Sequence, residues 1–350
     1  MNNDEEAITT EILEDNVRLM QAREGSLLRA QHAKGHGCVR ATFTVREDIS
    51  DPALKVGLFS KPKSYDAVIR FSNAKKLDDR EKDAHGMAIK LLGVPGEKLH
   101  PGHETRTTFD FVMIDHPVMF AANLEEYRAI SELLDDIGKH NVADEDEYLL
   151  GRAGKILGKV SEAIGAVREG SLAMLPRLLK FRTPMPMSPV ARSYWSQTPY
   201  KLGEDHAVKY VARTHRSVDE NALGEALARE LSATDARFTF GIHVQRDANT
   251  HPIEDATVPW WPDDDEGGLE TMIPVADIQI TGFVEDSELM AENLVFSAWN
   301  VTEAHEPLGG LNRVRRTIYA DLATKRHAYN ATSGKCPFAA TDFGSTDYPS

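Results

Sequence analysis

Cysteine is nearly missing from this chain. Its two thiols, Cys38 and Cys336, are too few and too far apart to build a zinc site or a disulfide framework. They read as two reduced thiols of a cytoplasmic protein. Long apolar runs are missing too: none approaches the roughly 20 residues that span a bilayer, so no membrane insertion is expected. The opening residues, MNNDEEAITTEILEDN, are acidic and lack the apolar centre of a signal peptide. Positive charge is scarce. Forty Lys and Arg face 55 Asp and Glu, a formal charge of −15. Such a surface repels phosphate backbones, which argues against nucleic acid as a partner. No internal repeat or low-complexity segment occurs. The acidic stretch WWPDDDEGG, 260–268, lacks the ligand spacing of an EF-hand loop and reads as a solvated turn.

What is present is enough apolar residue, 41% of the chain, for one large core. Residues 5–24 carry Ile8, Ile12, Leu13, Val17, Leu19 and Met20 at helical spacing and predict an N-terminal helix or arm. Seven strand patterns follow: ATFTV (41–45), AVIRFS (67–72), GMAIKLL (86–92), FDFVMI (109–114), VKYVAR (208–213), RFTFGIHV (237–244) and ADIQITG (276–282). Strands and helices do not alternate regularly, which disfavours a parallel sheet and favours an antiparallel barrel or sandwich. Helical patterns occupy 122–180 and 311–330. The expectation is a single α+β domain over 1–350. It comprises an arm over 1–28, an antiparallel β-barrel of about eight strands over 39–120 and 205–290, a helical insertion over 122–180 and a C-terminal helix over 311–330.

Four separated stretches resemble the catalase family of haem proteins, in a short, catalase-related peroxidase form. RAQHAKGHG followed by ATFTV matches the R-x-x-H-A-K-G-x-G segment and T-F-x-V strand that open the catalase barrel. IRFS and DAHGMAIKL match the next two strands. RVRRTIYADLATKR matches R-x-x-x-Y with a further arginine seven residues on. The likeness is close over residues 25–120, loose in the middle, and returns at the C-terminal helix.

The resemblance implies a haem b (iron protoporphyrin IX) cofactor and a site with two walls. On the proximal wall Tyr319 would ligate the iron. Tyr is the axial ligand of catalases, and a phenol ligates well as phenolate, which a nearby cation favours. Arg315 and Tyr319, at i and i+4, are neighbours on one helix face, and Arg326 follows two turns later. On the distal wall His32 would be the acid/base and Ser72 its hydrogen-bond partner. His36 is left as an exposed loop histidine. Val68, Arg70 and Ser72 share one face of a strand, and an arginine on an inward face calls for a buried anion. Arg29, Arg70 and Arg326 would hold the two haem propionates, and Phe120 in HPVMF would pack over the haem.

The chain departs from the family on the distal wall. The asparagine that catalases carry before the FDFVMI strand is replaced in ETRTTFDF by Thr107 and Thr108, so Thr108 stands as the distal donor. Gln31 replaces a small apolar neighbour of the distal histidine, as a polar residue does in catalase-related allene oxide synthases. His85 stands where catalases often have arginine. The expected activity is haem-dependent cleavage of a peroxide O–O bond, with hydrogen peroxide or an organic hydroperoxide as substrate and an organic electron donor as a further partner. Processing of fatty-acid hydroperoxides, oxidation of a specialised metabolite, and a haem carrier or sensor without turnover are the alternatives. A homodimer or tetramer is expected from the N-terminal arm.

Overall fold

Alternation of side chains along each strand decides the architecture. In the segment Ser64–Asn73, Ala67, Ile69 and Phe71 enter the main core, while Val68 joins a separate apolar cluster on the other face. The computed structural model describes residues 3–21, 29, 31–74, 83–128, 130, 177, 188–216 and 236–332. Nine strands lie within them: β1 (Gly35–Val45), β2 (Ser64–Asn73), β3 (His85–Leu91), β4 (Phe109–Ile114), β5 (Tyr194–Trp195), β6 (Tyr200–Leu202), β7 (His206–Thr214), β8 (Ala236–Val244) and β9 (Ile273–Phe283). All pairings are antiparallel, in the order β5-β4-β3-β2-β1-β9-β8-β7-β6. The two-residue strand β5 pairs with β4 through Ile114↔Trp195 and with β7 through Tyr194↔Ala212. That double pairing closes eight strands into a barrel, with β6 as an added strand on β7. Closure removes the unpaired edges that an open sheet would present.

The barrel interior is filled. Phe111 packs against Phe240 at 4.7 Å, against Tyr210 at 5.0 Å and against Phe109 at 5.1 Å between ring centroids. His305 plugs the same core. Its Nε2 accepts the Leu58 N–H at 2.8 Å, which leaves Nδ1–H to donate to the Tyr210 hydroxyl at 2.9 Å.

Among the described residues, three helices of seven residues or more cover the outside. Helix α1 (Asn3–Gln21) packs Ile8 and Ile12 against Leu311, Val314 and Ile318 of α3 (Gly310–Thr332). Between them in chain order comes α2 (Ser287–Asn293), whose Met290 and Ala291 sit over Cys38 and Val68 on the outer face of the barrel. Ser287 fastens it there, accepting the Cys38 N–H at 2.7 Å and donating to the Cys38 carbonyl at 2.9 Å. Among the described residues no helix is long and apolar enough to cross a membrane.

The expected strands all occur, most of them longer than their sequence patterns. Strands β5 and β6 and helix α2 were not expected, each being too short to carry a periodic signal. The 122–180 insertion lies almost wholly outside the described residues, apart from a helix that begins at 124, and so does Cys336. The 260–268 turn is knotted by Asp265, whose carboxylate accepts from Glu270 N, Thr271 N and Thr271 Oγ1. One expectation needs correction. Arg70 does not face the barrel interior. It lies on the outer face, buried by α2 and the segment around His32.

Candidate functional site

His32 sits just before β1 with φ of 55°, a left-handed backbone that histidine adopts only when its surroundings impose it. Here three bonds do so. The His32 N–H donates to Ala74 O at 2.7 Å, Asn73 N–H donates to Lys34 O at 3.0 Å, and Arg70 Nη2 donates to His32 O at 2.9 Å. The imidazole Nδ1 meets Ser72 Oγ at 3.0 Å. That bond engages Nδ1 and leaves Nε2 as the nitrogen that could exchange a proton. Burial, then the charges of Arg70 and Arg29, push the His32 pKa down to about 4. The ring is neutral at pH 7 and able to take a proton.

Gly86 makes this arrangement possible. It pairs with Ser72 across β2 and β3, and a Cβ there would come within 2.6 Å of His32 Nδ1 and 2.9 Å of Ser72 Oγ. The Nδ1–Cε1 side of the imidazole thus lies against a bare patch of strand backbone. The signal for it was in the sequence: an isolated glycine inside a strand pattern marks a close approach.

Arg29, Arg70 and Arg326 converge at the C-terminus of α2. Arg29 donates to Ala291 O at 2.7 Å and Leu294 O at 2.5 Å, Arg70 Nε donates to Ala291 O at 2.9 Å, and Arg326 Nη1 donates to Glu292 O. These carbonyls are the unsatisfied acceptors of a helix end, where cations are favoured. The Glu292 carboxylate stands 3.4 Å from Arg29 and 3.5 Å from Arg70. Burial, then the neighbouring Arg70 and Arg326 charges, hold Arg29 well below its ordinary pKa. Arg70 is also lowered, by burial, with Glu292 opposing.

The other wall is α3. Arg315 Nη2 donates to the Tyr319 hydroxyl at 2.9 Å, with its guanidinium carbon 5.1 Å from the centre of the Tyr319 ring. Nη1 of Arg315 is held by Thr198 Oγ1 at 3.2 Å and Asn312 Oδ1 at 3.1 Å. Asn312 is in turn anchored by donating to Pro199 O and Leu308 O, both at 2.9 Å. Burial opposes the Arg315 charge, yet the Tyr319 and Tyr200 hydroxyls raise its pKa above the ordinary value. A permanent cation therefore touches a half-buried phenol. Arg326 on the same helix reaches the Arg29–Arg70 cluster, so one rigid element joins the two walls.

The remaining predicted residues, Thr108, Gln31 and Phe120, are placed by their own surroundings. Thr108 lies at the far end of β4. The ladder runs from Gly86↔Ile114 beside Ser72 to Leu91↔Phe109, and the six steps from Ile114 to Thr108 amount to about 20 Å. Its hydroxyl instead accepts from Asn300 Nδ2 at 3.0 Å. Gln31 is exposed. Phe120 is half-buried and stacks on Tyr127 at 5.8 Å. His36 is not an exposed loop residue: its Nε2 meets Asn73 Oδ1 at 2.8 Å and its ring stacks on His85 at 6.4 Å. His85 Nδ1 donates to Asp115 Oδ2 at 3.0 Å, and Arg192 Nη1 donates to the same oxygen at 2.7 Å. This buried trio, one strand step beyond Ser72 and Gly86, escaped the sequence reading because Arg192 is far from it in the chain.

No protein-family model matches the sequence, and no curated protein matches it. Solved structures do. The chain superposes on catalase A from Saccharomyces cerevisiae with a TM-score of 0.60 at 15% identity, covering 95% of this chain and 67% of that one. A fungal catalase gives 0.61 at 16% identity and a bacterial catalase 0.60 at 17%, each over 97% of this chain and 66% of the other. The chain thus spans about two thirds of the length of these catalases. At such identities the likeness is one of architecture: a catalase-like fold.

Proposed function

We propose that this chain is a haem-dependent oxidoreductase that cleaves the O–O bond of a peroxide. The observation that carries the reading is the link through α3. Tyr319, paired with Arg315 at 2.9 Å, shares that helix with Arg326, which joins the arginine cluster three residues from His32. The donor set fits the group. Tyr319, with its hydroxyl fixed by a guanidinium, would hold ferric iron, and Arg29, Arg70 and Arg326 would hold two carboxylates. Haem, when bound, supplies the redox equivalents and the open iron position at which a peroxide can react.

The chain's own part is positioning and proton transfer. Arg315 holds the Tyr319 oxygen in place by donating to it at 2.9 Å. Ser72 and Gly86 orient the neutral His32 and leave Nε2 to exchange a proton. His32 Nε2 would take a proton from one peroxide oxygen and return it to the departing one, which would leave as water or an alcohol, the two electrons for O–O cleavage coming from bound haem. Purified protein should show a Soret band, and Tyr319→Phe should lose or shift it. A wild type that never takes up haem, or a Tyr319→Phe spectrum identical to wild type, overturns the reading.

A second reading keeps the haem and changes the substrate. Thr108 stands about 20 Å along β4 from the Ser72–Gly86 row, so the expected replacement for the distal asparagine does not reach His32. That favours an organic or fatty-acid hydroperoxide over hydrogen peroxide. Fast oxygen release from hydrogen peroxide would argue against it. Consumption of a lipid hydroperoxide without oxygen release would support it, and bound haem with no turnover of either would leave a carrier or sensor.

A further inference from the structure

Lys209 has no part in the reading above. Its neighbours Val208 and Tyr210 enter the core, so Lys209 lies on the outer face of β7, where it is only 2% exposed. The ammonium donates to Val258 O at 2.9 Å and stands 4.9 Å from the centre of the Trp260 ring. Among the described residues no carboxylate is bonded to it. Asp255 acts on it through space, and that carboxylate accepts from Thr257 N at 2.9 Å and Thr257 Oγ1 at 2.6 Å. Burial pushes the Lys209 pKa down to about 7, with Asp255 opposing. About half of the molecules thus hold a neutral amine at pH 7, where an ordinary lysine is protonated. His243 lies directly across the β7–β8 ladder, on the same face. Burial lowers its pKa to about 4, with Asp265 opposing and Lys209 adding to the fall, so the imidazole is neutral. His243 Nε2 and Trp260 Nε1 are both buried, and among the described residues neither has a hydrogen-bond partner. Buried polar atoms are nearly always paired, so a base and a donor left over beside a buried amine call for a ligand. Gly268, at φ 70°, closes the cover: a Cβ there would come within 2.5 Å of His243 Nε2 and 2.7 Å of Trp261 Cδ2. A cover this close admits only a small ligand.

We infer that Lys209 is a carbamylation site that takes up carbon dioxide, with His243 as its base. The Nζ lone pair bonds the carbon of carbon dioxide, one C–O π pair moves onto oxygen, and an Nζ proton passes to His243. The products are a carbamate and an imidazolium, and no oxidant or reductant is needed. The step replaces a cation that disfavours a charged His243 by an anion that favours it. Trp260 Nε1–H is a further donor for the carbamate oxygens. Asp255 works against the new anion. Asp265, Arg246 and His251 are the other titratable groups that act on this pair. The site uses neither Tyr319 nor His32, so the inference stands apart from the haem reading.

The full chain equilibrated with isotopically labelled bicarbonate at neutral pH provides the test. Carbon NMR should show a carbamate resonance apart from that of bicarbonate. It should vanish in Lys209→Met, which keeps the length of the side chain without the amine. Lys201→Met, at a lysine on the surface paired with Glu306, should leave it unchanged. His243→Gln should lower the occupancy roughly tenfold, the equivalent of one pKa unit in the base. Trapping with triethyloxonium, followed by peptide mass mapping, should place an ethylated carbamate on Lys209. That readout needs only wild type and decides alone if Lys209→Met does not fold. Three results overturn the inference: no carbamate resonance, one that survives in Lys209→Met, or a trapped carbamate found only on the α-amino group or on exposed lysines. An occupancy unchanged in His243→Gln overturns the proton transfer.

Discussion

Gly86→Ala is the substitution that most directly tests how His32 is held. Gly86 lies at a strand position with ordinary backbone angles, so alanine is tolerated by the chain itself. The new Cβ would stand 2.6 Å from His32 Nδ1, 2.7 Å from Cε1 and 2.9 Å from Ser72 Oγ, whereas ordinary contact begins near 3.4 Å. The ring must retreat by the difference, about 0.8 Å. The ring sits outside the closed core, so the His32 side chain rotates away rather than the paired strand moving. Retreat lengthens the 3.0 Å bond to Ser72 past the limit of a hydrogen bond. The loss is about 1 kcal/mol, offset in part by the lower chain entropy of alanine in the unfolded state. Net stability should change by no more than about 1 kcal/mol. Catalysis should suffer far more, since a displacement of about 1 Å of a reacting group can cost about 100-fold. Urea unfolding and peroxide turnover at matched haem content measure the two effects. Turnover within twofold of wild type at equal haem content would refute the claim that this packing positions His32.

Acidification should destabilise the fold through its buried neutral histidines. Burial lowers the His305 pKa to about 3, and burial followed by the His100, Arg106 and Lys90 charges lowers His103 to about 2. Each binds a proton only when unfolded once the pH drops below 6.5. Their stabilisation is complete above that pH and is lost on the way down to the folded values, about 2 kcal/mol per histidine between pH 7 and pH 5. Denaturant midpoints across that range report it, and His305→Gln should flatten the slope by one proton; an unchanged slope refutes the assignment. Asp110→Asn should cost about 3–5 kcal/mol in urea unfolding, because Lys90, which donates to Asp110 Oδ1 at 2.6 Å, would be left buried without its counter-charge. Replacing both by apolar residues, Lys90→Met with Asp110→Leu, should recover most of that loss. A double variant as unstable as the single one would show that the Asp110 bond to Ser297 N matters more.

The legible parts of this fold are those with a period. Strands β1 to β4 and β7 to β9 each run six or more residues, rich in β-branched and aromatic side chains, and each is readable from the sequence. Strand β5 is two residues long, Tyr194–Trp195, and nothing in YW announces a strand. Yet β5 closes the barrel, because it alone pairs with both β4 and β7. Closure is decided by long-range register, which no local window contains. The inward placement expected for Arg70 failed for a related reason. Alternation separates the two faces of β2 but does not say which is interior. That depends on α2, a seven-residue helix over 220 positions away in sequence, covering the Arg70 face.

The same logic divides the site. Arg315 and Tyr319 touch because four residues on one helix always touch, so the proximal wall was readable from spacing. Tyr319 and Arg326 are likewise fixed by one helix, seven residues or about 10.5 Å apart along its axis. The distal wall has no such ruler. His32 rests on Gly86 and Ser72 from two different strands, and its carbonyl is held by Arg70, which also meets Glu292 of α2. Thr108 was assigned there by counting back from FDFVMI. Antiparallel strands reverse direction, and the start of β4 lies at the opposite end of the ladder from Gly86. Linear counting therefore works within a helix and fails across a hairpin. The residues that hold the proposed acid/base, Gly86 and Ser72 against its ring and Arg70 on its carbonyl, are those that only the assembled sheet brings to it.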